Sequence, residues 1–296
     1  MKVTIIGAGK VGRWLARTLV GTGVRPDLRA ARQGIPTQRI DGALLILAVR
    51  DQEIPRWAGE LALARVVSSR TAVVHVAGAW GAEVLAPLRP HAAGLGQAHP
   101  ALSFPTLRAT PRSRRGMLLM TGDAIAVRRA ARMGRALGLV PREVRQLDQA
   151  TYHAACVFVA NGAAALAGVG VDLLVGAGVS AADAPRIAGS LLSSVADNVA
   201  KLGMPAALSG PVRRGDVAVL ERHLAALGAR HRELVPLYAE LARAQLSAAR
   251  ELAESAPDDL DHIAQLIQRH LVAAHVDDGA SRTQGRGSRG MRRARD

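Results

Sequence analysis

The chain has 296 residues, 49% hydrophobic and 21% charged, enough for about two domains, and neither a disordered polyelectrolyte nor a many-span membrane protein fits that balance. Its single cysteine, Cys156, excludes a disulfide framework, and no Cys/His cluster has zinc spacing, so no metal site and a reducing, cytoplasmic location are expected. Of the net charge of +15, residues 279–296 contribute +5, with six arginines against one aspartate, and the rest is spread thinly along the chain; with 2% aromatics, nucleic-acid binding is expected at most through that basic tail.

The first strand is expected at residues 2–6, followed by a helix over 10–20 with apolar residues at Val11, Trp14, Leu15 and Leu19. Glycines and charges at Gly7, Gly9, Lys10, Arg13 and Arg17 interrupt any signal-peptide core. Further short strands are expected at 27–31, 43–49, 72–76, 94–98 and 117–120, with helical patterns at 82–88 and 124–137. This alternation predicts an α/β fold with a doubly wound parallel sheet covered on both faces. Residues 33–41 are too few for a crossover helix. From about Gln146 only helices are expected, over 149–167, 173–177, 182–202, 217–227, 232–253 and 260–274, punctuated by glycine and proline. The expected division is a first domain at 1–146, an all-α domain at 147–276 and a disordered basic tail at 277–296. The apolar run at 154–182 is diluted by Asn161, Asp172 and many small residues, which predicts a helix buried in protein and no membrane insertion.

Chemistry begins at Gly7-Ala8-Gly9-Lys10-Val11-Gly12, a G-x-G-x-x-G run placed after a strand and opening a helix. Gly7 allows the tight turn, Gly9 lets the backbone approach a pyrophosphate and Gly12 permits close helix packing, with the phosphate at the positive helix end. That context marks a dinucleotide site rather than a bare glycine turn. An NAD(H) site usually carries an acidic residue about 20 positions further on. Here Arg29 and Arg32 occupy that region, which favours NADP(H), since a guanidinium pairs with the 2′-phosphate; NAD(H) stays the alternative. In such folds ligands lie beyond the carboxyl ends of the strands, so Ala48, Val49, Gly78 and His99 are expected to border the nicotinamide. The other reading of His99 is a loop histidine fixed by Pro100.

Together, the glycine run, Ala48-Val49-Arg50-Asp51, Val74-His75-Val76-Ala77-Gly78, His99-Pro100-Ala101-Leu102-Ser103-Phe104, Tyr152-His153-Ala154-Ala155 with Asn161, and Ser209-Gly210-Pro211-Val212-Arg213-Arg214-Gly215-Asp216 with His223 resemble one bacterial family. Its members pair a Rossmann-like domain with a helical domain of unknown function and are described as predicted oxidoreductases. The resemblance covers about residues 1–250. More distantly the chain is similar to ketopantoate reductase, pyrroline-5-carboxylate reductase and the deazaflavin-dependent NADP reductases. It departs from the family pattern at Ala77, where a serine is frequent, and at Arg50, where a proline is common.

Ketopantoate reductases place a lysine and an asparagine eight residues apart on the corresponding helix, and the resemblance puts His153 and Asn161 there. On a regular helix these differ by roughly 80° and about 12 Å of rise, so both can border one cleft. His153 can donate a proton to a carbonyl or imine while Asn161 orients substrate or cofactor; the alternative is a capping or core-satisfied pair. Tyr152, Ser209, Arg214, Asp216 and His223 are candidate substrate contacts. Asp216 is equally an N-cap for the helix that follows, and Cys156 is expected to pack rather than react. The function expected is NADP(H)-dependent hydride transfer to or from a small carbonyl or imine compound in an interdomain cleft. The alternative is a non-enzymatic NADP(H)-binding sensor or scaffold. Small-residue faces over 161–178 suit a homodimer.

Overall fold

The computed structural model describes residues 1–108 and 116–290, with side chains described through residue 273. By its contacts the chain divides into two compact units, Met1–Gly168 and Val169–Asp296. The first therefore extends past the 146/147 boundary expected from sequence and retains the start of the helical region.

In the first unit the strands β1 (Val3–Ile6), β2 (Asp27–Arg29), β3 (Leu44–Leu47), β4 (Ala72–His75), β5 (Gly94–Ala101), β6 (Met117–Gly122) and β7 (Val140–Glu143) form one sheet in the order β2-β1-β3-β4-β5-β6-β7. Alternate residues of each strand project to opposite faces, and both faces are covered. Val3, Ile5, Leu44, Ile46 and Val74 pack with Trp14, Leu15 and Leu19 of α1 (Lys10–Val20) and Ala126, Ala130 and Met133 of α3 (Ala124–Ala136). Ile6, Leu45, Leu47 and Val73 pack with Ile54, Trp57, Ala58 and Leu61 of α2 (Ile54–Leu63) and with Leu85 and Leu88 of the 3-10 helix Ala82–Leu88. The four α2 residues stand at i, i+3, i+4 and i+7, a helical stripe.

The sheet is not wholly parallel, contrary to expectation. β1 to β5 run together, but β6 pairs with β5 antiparallel. An antiparallel neighbour can be reached without the crossover that each parallel pair needs. α3 then carries it from β6 to β7, which pair parallel. β7 carries Pro141 and the exposed Arg142 and Glu143, the composition of an edge strand and the reason no strand is expected there from sequence.

Helix α4 (Gln149–Val157), one π-helical turn (Phe158–Gly162) and α5 (Ala163–Gly176) follow without a break. Asp148 caps α4, its carboxylate accepting from the Ala150 and Thr151 amides at 3.1 and 3.2 Å. The expectation that this apolar stretch is buried is corrected. Among the described residues Gln149–Gly176 is the one helix long and apolar enough to cross a membrane, with mean hydropathy 1.9, and its apolar window is 0% buried. Apolar residues lie around its whole circumference rather than along one stripe, the pattern of a helix that other surfaces cover on every side.

The second unit contains α6 (Ala184–Leu202), α7 (Val217–Arg230), α8 (Val235–Leu252) and α9 (Pro257–Gly290). Leu220 and Leu224 of α7, Ala239, Ala242 and Leu246 of α8, and Ile263 and Ile267 of α9 form its core. The segment 277–296, expected to be a disordered tail, lies outside the residues whose side chains are described.

Candidate functional site

β1 lies between β2 and β3, so the chain leaves β1 toward one side and β3 is added on the other, opening a crevice at their carboxyl ends. The glycine run makes its floor. Gly7 has φ +115° and a Cβ there would fall 2.3 Å from the Ala48 carbonyl oxygen; one on Gly12 would fall 1.8 Å from that of Gly7. Both positions therefore require glycine for the close approach of β1, β3 and α1. Gly9 differs: it is exposed, and a Cβ would meet nothing within 4 Å. As the N-cap of α1 it offers no side-chain hydrogen bond to the first-turn amides. Free amides beside open space at a helix N-terminus fit the pyrophosphate of a dinucleotide.

The crevice has a volume of about 880 Å³ and is lined by Gly7 to Val11, Ala31 and Ala48 to Asp51, among others. Gly12 packs underneath. Arg32 stands exposed on the 3-10 turn Ala31–Gln33, while Arg29 accepts the Gly7 amide on its carbonyl at 2.8 Å and has a buried Nε without a partner.

A second cavity of about 690 Å³ opens beside it, bordered by Lys10, His99, Tyr152, His153 and Asn161 together with apolar groups such as Leu102, Phe104 and Val159. Lys10 lines both cavities. The alternative reading of His99 as a loop histidine does not hold, since it sits inside β5, opposite Leu119 of β6. Its Nδ1 and the Tyr152 hydroxyl share a hydrogen bond of 2.7 Å, and the His153 ring lies 6.4 Å away, centroid to centroid. Gly78 completes the cluster, since a Cβ on it would fall 2.6 Å from His153 Cδ2 and 3.0 Å from His99 Nε2. Burial, then the neighbouring His153 and His75, push the His99 imidazole down to about 4, so it is neutral at pH 7. Burial raises the Tyr152 phenol, which keeps its proton. A neutral imidazole and a protonated phenol can share their hydrogen in either sense.

Asn161 lies on the π-helical turn. This wider turn alters the angle expected for a regular helix, and His153 and Asn161 still border the same cavity. Cys156 lines it too. Ser209, Arg214, Asp216 and His223 belong to the second unit. There Asp216 caps α7, accepting the Val219 amide at 3.2 Å. His223 Nδ1 and the Tyr238 hydroxyl share a bond of 2.7 Å, and Ser209 and Arg214 are exposed. The neighbouring Arg213 is tied to Glu254 at 2.8 and 2.6 Å.

Sequence reasoning misses two groups. His75 is 0% exposed at the end of β4, with Nε2 2.9 Å from the Gly81 carbonyl and Nδ1 buried without a partner. Gln97, buried in β5, bonds the Ala77 carbonyl and Gln149. Its position two residues before His99, hence on the same strand face, is the one signal the sequence offers for it. At Ala77, where the family often has serine, the backbone carbonyl makes the contact.

Residues 1–100 match the Rossmann-like domain family, and residues 117–245 match a domain of unknown function, DUF2520. No curated protein matches the chain. Among solved structures it is similar to protein TM1727 of Thermotoga maritima (19% identity, 84% of this chain and 98% of that one, TM-score 0.63). It is also similar to Plasmodium falciparum pyrroline carboxylate reductase with NADP bound (12% identity, 86% and 97%, TM-score 0.57). A third likeness is to an imine reductase from a Pseudomonas species (21% identity, 77% and 86%, TM-score 0.51). At these identities the likeness is one of fold. The chain thus joins a region that matches the Rossmann-like domain to one that matches DUF2520, the pairing that its motifs resemble.

Proposed function

We propose that this protein is an NADP(H)-dependent oxidoreductase acting on a small carbonyl or imine compound. The observation that carries the reading is the adjacency of the two cavities: Lys10, inside the glycine run, lines both the crevice and the pocket holding His99, Tyr152 and His153. A ligand whose phosphates sit at the N-terminus of α1 can therefore extend toward those side chains.

Gly7, Ala8, Gly9 and Val11 would receive the phosphates and Lys10 would offset their charge. Ala48 and Val49 would flank the ligand at the end of β3, and Gly78 and His99 would border its reactive end. Arg29 and Arg32 support a preference for a 2′-phosphate over NAD(H). A bound nicotinamide supplies or takes the hydride. His153 holds the proton that a carbonyl or imine needs, since its ring borders the pocket and is half-exposed. Asn161 orients the substrate through its amide. Neutral His99 and protonated Tyr152 add one donor and one acceptor with little charge, a polarity suited to an uncharged C=O or C=N group.

We further propose a cytoplasmic homodimer. Phe158 and Val159 are 81% and 76% exposed, and Leu191 and Leu202 are 62% and 60% exposed, apolar area that a second copy would cover. Ultracentrifugation should give twice the chain mass, and Leu191→Glu should shift it to monomer; a monomeric native protein removes this part. The redox reading is tested by calorimetry with NADPH and NADH, followed by absorbance assays against ketones, keto acids and cyclic imines. Tighter binding of NADPH and turnover of one class are expected. A folded protein with no affinity for either dinucleotide overturns the reading.

A further inference from the structure

Strand β5 and helix α4 are joined by two polar rungs, only one of which lies in the pocket. Gln97 and His99 alternate onto one face of β5, while Gln149 and Tyr152, three apart on α4, share one helix face. One rung is the His99–Tyr152 bond at 2.7 Å. The other is a reciprocal amide pair, in which Gln149 Nε2 donates to Gln97 Oε1 and Gln97 Nε2 to Gln149 Oε1, each at 3.0 Å.

Gln97 is 1% exposed, and its amide is fully used. Nε2 also donates to the Ala77 carbonyl at 2.8 Å, and Oε1 also accepts from the Thr121 hydroxyl at 3.4 Å. Because a backbone carbonyl only accepts, the nitrogen must face Ala77, which fixes the orientation of Gln97 and in turn that of Gln149. One side chain thereby connects β5, the turn at Ala77-Gly78 and the first turn of α4. That turn carries the glycine against which the rings of His99 and His153 pack.

We infer that Gln97 and Gln149 are the positioning residues of the site, an amide lock that sets the height of α4 on β5 at which Tyr152 meets His99 and His153 closes over Gly78. Neither glutamine lines the pocket, so each acts through the other rung. Apolar residues at these two positions would tolerate a helix sliding along the strand, whereas a saturated amide network accepts one register. The value of this register for catalysis rests on the proposed redox function; the positioning itself does not.

The test is a histidine nitrogen NMR titration of the full chain and its variants. In the native protein burial should push the His99 midpoint down to about 4, with Tyr152, His153 and His75 as the groups facing it. Gln149→Leu is expected to raise that midpoint by about one pH unit or more, because the helix lifts and water reaches the ring. Thr121→Val removes a bond to Gln97 outside the lock and should move it by less than about 0.3 unit. Should Gln97→Leu fail to fold, Gln149→Leu decides alone, since Gln149 is half-exposed. An unmoved His99 midpoint in folded Gln149→Leu overturns the inference. Calorimetry on the same variant separates the two claims: dinucleotide affinity should stay within about threefold of native, as the glycine run is untouched. A native protein that binds no dinucleotide overturns the proposed function while the His99 comparison still decides the lock.

Discussion

The chain contains two tyrosines, and each shares a 2.7 Å hydrogen bond with the Nδ1 of a histidine, the rings standing at 85° in both pairs. The geometry is the same and the setting is not. His99 and Tyr152 join a strand to a helix at the wall of a cavity, among further histidines, and burial holds the His99 ring neutral down to about 4. His223 and Tyr238 join α7 to α8 with the histidine exposed, over a core of leucine, isoleucine and alanine. The hydrogen bond alone therefore does not mark a candidate site. What distinguishes the first pair is desolvation, neighbouring titratable groups and an adjoining space for a ligand.

The contrast between the units is broken most strongly at their glycines. Gly12→Ala puts a Cβ 1.8 Å from a backbone oxygen and should destabilise the first unit by on the order of 4 kcal/mol. Gly228→Ala, on α7 with nothing within 4 Å, should stabilise the second by about 0.5–1 kcal/mol. Thermal unfolding of both variants checks the pair. A smaller effect is expected from acid. The folded value of His99 lies below its ordinary 6.5, so between there and about 4 the unfolded chain binds a proton that the folded chain refuses. Stability should fall across that window by on the order of 3 kcal/mol as pH drops, and His99→Gln should flatten this limb in denaturant titrations. The smallest difference is between the tyrosines. Tyr152→Phe should cost about 1.5 kcal/mol, because it leaves a buried imidazole nitrogen unpaired, and Tyr238→Phe about 0.5 kcal/mol, because water replaces the lost partner of His223. Equal costs in urea unfolding would erase the distinction drawn between the two settings.

Features carried by neighbouring residues are legible in the sequence alone. The helix after the glycine run has the bounds expected, Lys10–Val20, since its apolar spacing and the preceding turn are local signals. Asp216 caps α7, as its place before an apolar run suggests. Val3, Ile5 and Ile6 announce a strand buried on both faces. The motif around His99 singles out that residue but not its place inside β5: Pro100 suggests a loop, while a strand pairing across to β6 can include it.

By itself the sequence determined the alternating core, the glycine turn and the candidate histidines, all encoded within a few residues of one another by sterics and periodicity. Only the tertiary structure decided the reversal at β6, the exposure of Gln149–Gly176 and the Gln97–Gln149 lock, whose partners are 52 residues apart. Such contacts depend on which faces finally meet, and a buried amide declares its partner only once the sheet has brought that partner within hydrogen-bond reach.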